Sequence, residues 1–138
     1  MSEKVNVTWK DEMAFEASVN DHSIMIDARA DVGGKDRGPR PKPLLLASLG
    51  GCTGMDVISI LGKMRVHPDY FNIAVEANMT EEHPKHYDKI HIRYFFRGRE
   101  LPKDKLEKAV KLSQDKYCGV SYLLGKGAEI THEIIVED

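Results

Sequence analysis

Pro41-Lys42-Pro43-Leu44-Leu45-Leu46-Ala47-Ser48-Leu49-Gly50-Gly51-Cys52-Thr53-Gly54-Met55-Asp56-Val57-Ile58-Ser59-Ile60-Leu61-Gly62-Lys63-Met64-Arg65 is the stretch on which the fold of this chain turns. Pro41 and Pro43 suit the entry of a helix, and His67-Pro68 stops it. Leu44, Leu45, Leu49, Met55, Val57, Ile58, Ile60, Leu61 and Met64 cover most of its faces. A helix apolar nearly all round belongs at the centre of a structure. Gly50, Gly51 and Gly54 bracket Cys52, each at a helix-propensity cost of roughly 1 kcal/mol relative to alanine. They leave space for the close approach of another backbone.

Upstream, Val5, Val7 and Trp9 alternate with polar residues, as do Phe15, Ala17 and Val19, and Ile24, Ile26 and Ala28. Three short strands are expected, with turns at Asp11-Glu12 and Asn20-Asp21. The Gly- and Pro-rich segment from Asp31 to Pro43 reads as a loop. Downstream, Ile73–Ala77 and Ile90–Phe95 read as a second hairpin around the polar turn Glu81–Asp88. Leu106, Ala109, Val110 and Leu112 give a one-sided helix after Pro102, Cys118–Leu124 a short further helix, and Glu129–Val136 a closing strand. The order βββ-α-ββ-αα-β is grouped rather than alternating, which predicts an α+β fold with mainly antiparallel sheet. At 138 residues the chain is expected to form one domain, residues 1–138. Six strands and one amphipathic helix are little cover for so apolar a central helix. A homodimer with that helix near its interface is therefore expected.

Composition removes several function classes. A net charge of −2 and a pI near 6.3 give no electrostatic footprint for nucleic acid or an anionic membrane surface. No run of 18 apolar residues and no secretory leader is read from the sequence, so a cytoplasmic location is expected. Two cysteines are too few for a disulfide scaffold, and they lack the local pairing of a structural zinc site. Cys52 and Cys118 both fall in segments that read as buried helix. They are either inert packed thiols or a nucleophile with a distant partner.

The run Gly38-Pro39-Arg40-Pro41-Lys42-Pro43-Leu44-Leu45-Leu46-Ala47-Ser48-Leu49-Gly50-Gly51-Cys52-Thr53, with Asp56-Val57 and Ile60-Leu61 after it, resembles the first cysteine motif of the OsmC/Ohr family. Tyr117-Cys118-Gly119-Val120 resembles the second, and the order of elements matches over essentially the whole chain. The resemblance implies an intertwined α+β homodimer and a thiol peroxidase that reduces small organic hydroperoxides. It implies Cys52 as the peroxidatic thiolate and Cys118 as the resolving thiol, joined in a transient disulfide. An external dithiol, in one branch a lipoylated protein, would restore the thiols. No flavin, haem or metal is implied.

One part of the pattern is replaced. In such peroxidases an arginine from an early hairpin and a glutamate just before the cysteine helix surround the thiolate. Here the first hairpin offers Lys10, and Lys42 stands where the glutamate is expected. Arg40, Lys42, Arg37 and Arg29 are the substitute cations, with Arg40 and Lys42 best placed by sequence. Asp56 lies one helical turn after Cys52, and an unpaired carboxylate on that face opposes thiolate formation. This places the chain with the divergent OsmC-like branch carrying a Gly-Gly loop, here Gly33-Gly34. Leu45, Leu49 and Met55 are the expected walls of an apolar pocket, with Asp56 and Tyr117 beside the cysteines. The rival reading is a non-catalytic dimer of the same fold that binds a small apolar or thiol-reactive molecule. His83 and His86 read as part of a solvated hairpin rather than a metal site, and Gly125-Lys126-Gly127 as a helix stop.

Overall fold

The structure, a computed structural model, describes residues 1–138. It divides into two compact units, Met1–Leu45 and Leu46–Asp138. The boundary falls inside a helix that is continuous across it.

In the first unit, β1 (Asn6–Asp11), β2 (Ala14–Val19) and β3 (His22–Ile26) form an antiparallel sheet in that order. Asn20 and Asp21 both take positive φ, 49° and 63°, the conformation of a tight two-residue hairpin turn whose twist matches its strands. The following loop contains a short 3₁₀ turn, Ala30–Val32, and is organised by one carboxylate. The Asp27 side chain is fully buried and accepts hydrogen bonds from the backbone N–H groups of Ala28, Lys35 and Arg37 and from Arg37 Nε. Burial pushes its pKa up, but these donors outweigh that and hold it down at about 2. Gly34 permits the closure: a Cβ there would lie 2.0 Å from the Ala28 carbonyl oxygen.

The long helix α1 (Pro41–Lys63) leads into the second unit. It ends in a left-handed cap, with Arg65 at φ 60°, Arg65 N–H on the Gly62 carbonyl and Val66 N–H on the Leu61 carbonyl. By length and composition it could cross a bilayer, with an 18-residue window of mean hydropathy 1.7, a longer apolar stretch than the sequence reading allowed. Its stripe Leu49, Thr53, Val57 and Leu61 is instead buried in the core of the second unit, though only about a fifth of that window is buried.

That core lies against β4 (Tyr70–Met79) and β5 (Tyr87–Arg97), paired antiparallel, with β6 (Glu129–Glu137) on the far side of β5. Alternation sends Ile90, Ile92, Tyr94 and Phe96 inward from β5, and all four are buried. β6 pairs with β5 in parallel, from Lys89 opposite Glu129 to Arg97 opposite Glu137, so the sheet is mixed where antiparallel pairing predominates elsewhere. Two glycines of α1 serve packing within this unit: Gly50 faces Val75, and a Cβ on Gly54 would meet Ile73 Cδ1 at 2.7 Å. Gly51 alone of the three has open space beside it.

Helix α2 (Lys103–Leu112) buries Leu106, Ala109 and Val110, then widens into a π turn, Ser113–Tyr117. The chain extends at Cys118 before α3 (Gly119–Leu124). Cys118 is thus the N-cap of α3 rather than a residue within a helix, which corrects the sequence expectation.

Candidate functional site

The second unit brings the two cysteines together. The sulfurs of Cys52 and Cys118 and a carboxylate oxygen of Asp56 all lie within 4.8 Å of one another. Cys52 and Asp56, one turn apart on α1, are half-buried, and Cys118 is 3% exposed. Both thiols are free. The Cys118 sulfur accepts a hydrogen bond from Ser121 N–H at 3.3 Å. Burial pushes the Cys118 thiol above its ordinary pKa, the Ser121 contacts pull against this, and the adjacent Cys52 sulfur adds to the rise. Cys118 is therefore held as a protonated thiol.

Behind the trio runs a buried polar chain that sequence reading missed. Ser113 Oγ donates to Asp56 Oδ2 at 2.9 Å. A hydroxyl has one hydrogen, so with Asp56 ionised Ser113 must accept from Thr53 Oγ1, 2.7 Å away. Thr53 in turn accepts from the Tyr94 hydroxyl at 2.7 Å, and Tyr94 accepts from Gln114 Nε2 at 2.7 Å. Every donor points toward Asp56. Burial raises the Tyr94 pKa and keeps the phenol protonated for this duty. Thr53 and Ser113 are fully buried, so breaking the chain would strand polar groups at about 1–3 kcal/mol each. The signal was present in the sequence. Thr53 interrupts an apolar helix stripe, Ser113 continues the Leu106-Ala109-Val110 stripe, and Tyr94 falls on the inward alternation of β5.

The substitute cations have partners in the first unit. Arg37 pairs with Asp27 and with Asp11 at 2.6 Å, Arg29 with Asp31 at 2.9 Å, and Arg40 with Asp36. Arg40 keeps a second guanidinium nitrogen, Nη1, buried without a hydrogen-bond partner. Lys42 is exposed in the first turn of α1.

Of the expected pocket walls, Met55 lines a groove of about 630 Å³ together with Ala47, Gly50, Gly54, Phe71 and Ile73. Leu49 is instead a fully buried core residue, because it falls on the inward stripe of α1, and neither Leu45 nor Cys52 lines the groove. Tyr117 is half-exposed, with Lys116 Nζ 5.3 Å from its ring centre.

Comparisons with known proteins identify the fold and the family. The chain is 32% identical over 130 residues to protein YhfA of Escherichia coli K12, covering 94% of each. A hypothetical protein of Aquifex aeolicus VF5, 31% identical, superposes with a TM-score of 0.83 over 100% of this chain and 99% of that one. The organic hydroperoxide resistance protein OhrB of Bacillus subtilis shares the fold at 16% identity, with a TM-score of 0.66 and coverage of 97% and 98%. Residues 33–133, which include both cysteines and Asp56, match the family described as OsmC-like protein, and the chain belongs to that family.

Proposed function

We propose that the protein is a thiol-dependent peroxidase for small organic hydroperoxides, with Cys52 as nucleophile and Cys118 as resolving thiol. The observation that carries this reading is the convergence of two free sulfurs from distant parts of the chain within 4.8 Å. The Cys52 sulfur attacks the O–O bond, so that a thiol and a hydroperoxide become a sulfenic acid and an alcohol. Cys118, adjacent and protonated, then condenses with that sulfenic acid, releasing water and leaving a disulfide. An external dithiol returns both thiols by exchange. The resistance to organic hydroperoxides for which OhrB of Bacillus subtilis is named supports the substrate class.

The chain works as a single OsmC-like domain within a homodimer. Met55, 76% exposed, and Ile58 on the α1 groove are the apolar surface that a second copy would cover. Arg40, Lys42, Arg37 and Arg29 are the cations to replace in turn when asking what supports the thiolate. A second reading, a non-catalytic dimer binding an apolar or thiol-reactive molecule, is favoured by Asp56 beside the thiols and by a groove that excludes Cys52.

Cumene hydroperoxide and a sulfenic-acid trap separate the two. In Cys118→Ser the trap is expected to accumulate on Cys52, and Cys52→Ser is expected to consume no peroxide. Equal peroxide consumption by wild type and Cys52→Ser would refute the enzyme reading. Sedimentation at micromolar concentration is expected to give a dimer.

A further inference from the structure

We propose that Cys52, Asp56 and Cys118 form a binding site for a thiophilic divalent cation of the zinc type, with two thiolates and one carboxylate as ligands and the fourth position open. Tetrahedral zinc with sulfur at about 2.3 Å and oxygen at about 2.1 Å places its ligand atoms about 3.6–3.8 Å apart. The three donor atoms already lie within 4.8 Å of one another, so an adjustment of about 1 Å completes the set. The sequence excluded zinc because its ligands are not locally paired. The fold supplies the pairing instead, joining one turn of α1 to the cap of α3.

Two features favour a cation here over a bare thiol pair. A carboxylate next to thiols is a liability if they must ionise unaided, and the Ser113 hydroxyl that holds Asp56 carries no positive charge to offset it. A bound cation turns the same three groups into ligands. The surroundings also orient the donors as metal sites require. Ser113, fixed by Thr53, positions the carboxylate, and Ser121 N–H positions the Cys118 sulfur. Half-buried Cys52 and Asp56 leave a route of entry, and two sulfur donors select against magnesium and calcium.

Cation and peroxide would then compete for one pair of sulfurs. Oxidation of the loaded site by an organic hydroperoxide and two protons yields the disulfide, the free cation, an alcohol and water. This release rests on the peroxidase reading, whereas binding does not.

The test begins with reduced, chelator-washed protein titrated with Zn²⁺ against a chromophoric chelator, and with Co²⁺ for its thiolate-to-metal charge-transfer band. One ion per chain and a two-thiolate band are expected. Cys52→Ser and Cys118→Ser should each weaken binding at least about 100-fold, and the isosteric Asp56→Asn and the supporting Ser113→Ala about 10-fold or more. Circular dichroism establishes that each variant is folded, and the cobalt band reports ligation independently of stability. Zinc binding unchanged in Cys52→Ser, the result expected of adventitious surface histidines such as His83 and His86, would overturn the proposal. So would a cobalt complex without the thiolate band. Peroxide turnover in chelator without zinc binding would overturn this inference and leave the peroxidase reading standing. Zinc binding without turnover would do the reverse.

Discussion

Asp27 and Asp56 are both carboxylates held by hydrogen bonds, one in each unit, and their surroundings differ in the respect that matters. Asp27 is fully buried and answered by a guanidinium and three backbone N–H groups. Its charge is matched, so it closes a loop and is available for nothing else. Asp56 is half-buried, takes a hydrogen bond from a neutral hydroxyl and faces two thiols. Its charge is oriented without being matched. Asp56 is thus positioned through the linked side chains of Ser113, Thr53, Tyr94 and Gln114 without being neutralised by them.

Two substitutions sharpen this contrast, and the larger effect is expected at Asp27. Asp27→Ala strands three backbone donors and the Arg37 guanidinium, and should lower the melting temperature by roughly 5–10 °C. The pH dependence follows with a definite sign. Asp27 titrates at about 2 in the folded protein against 3.8 for an ordinary aspartate. Its contribution is therefore present in full above about pH 4 and is lost as the pH falls toward 2. Acid titration of wild type, followed by circular dichroism, should show a loss of stability across that window that Asp27→Asn has already undergone. A wild type as acid-resistant as the variant would mean that the loop does not depend on this carboxylate.

A smaller and different effect is expected at Asp56. Asp56→Asn keeps an acceptor for Ser113 and should leave the melting temperature nearly unchanged. Removal of a negative charge beside Cys52 should speed its alkylation by iodoacetamide at neutral pH about three- to tenfold. Peptide mapping of the alkylated site measures this. An unchanged rate, or a large loss of stability, would make Asp56 a second Asp27.

Much of the frame was legible in the sequence because it rests on local pattern. Alternation marked the first hairpins, Asn20-Asp21 marked their turn, and the apolar run after Pro43 marked the core helix. The parallel pairing of β6 with β5 was not, because nothing within residues 129–137 records the direction of a neighbouring strand. The place of Cys118 was missed for a subtler reason. The polar run Ser113-Gln114-Asp115-Lys116 holds no glycine or proline to mark a break between the two helical segments, yet the backbone widens there and leaves the helix at Cys118. At the site, the family motifs named the two cysteines and helical spacing named Asp56. The chain from Gln114 through Tyr94, Thr53 and Ser113 comes from α1, β5 and the π turn, and only the fold shows that these isolated polar residues meet.

The measurement that bears most directly on the central claim is a count of free thiols in wild-type protein after one equivalent of cumene hydroperoxide per chain, with the intact mass read alongside. The account predicts no free thiols, a mass lower by two hydrogens and a single peptide pair linking Cys52 to Cys118. Two free thiols and an unchanged mass after excess peroxide would contradict it.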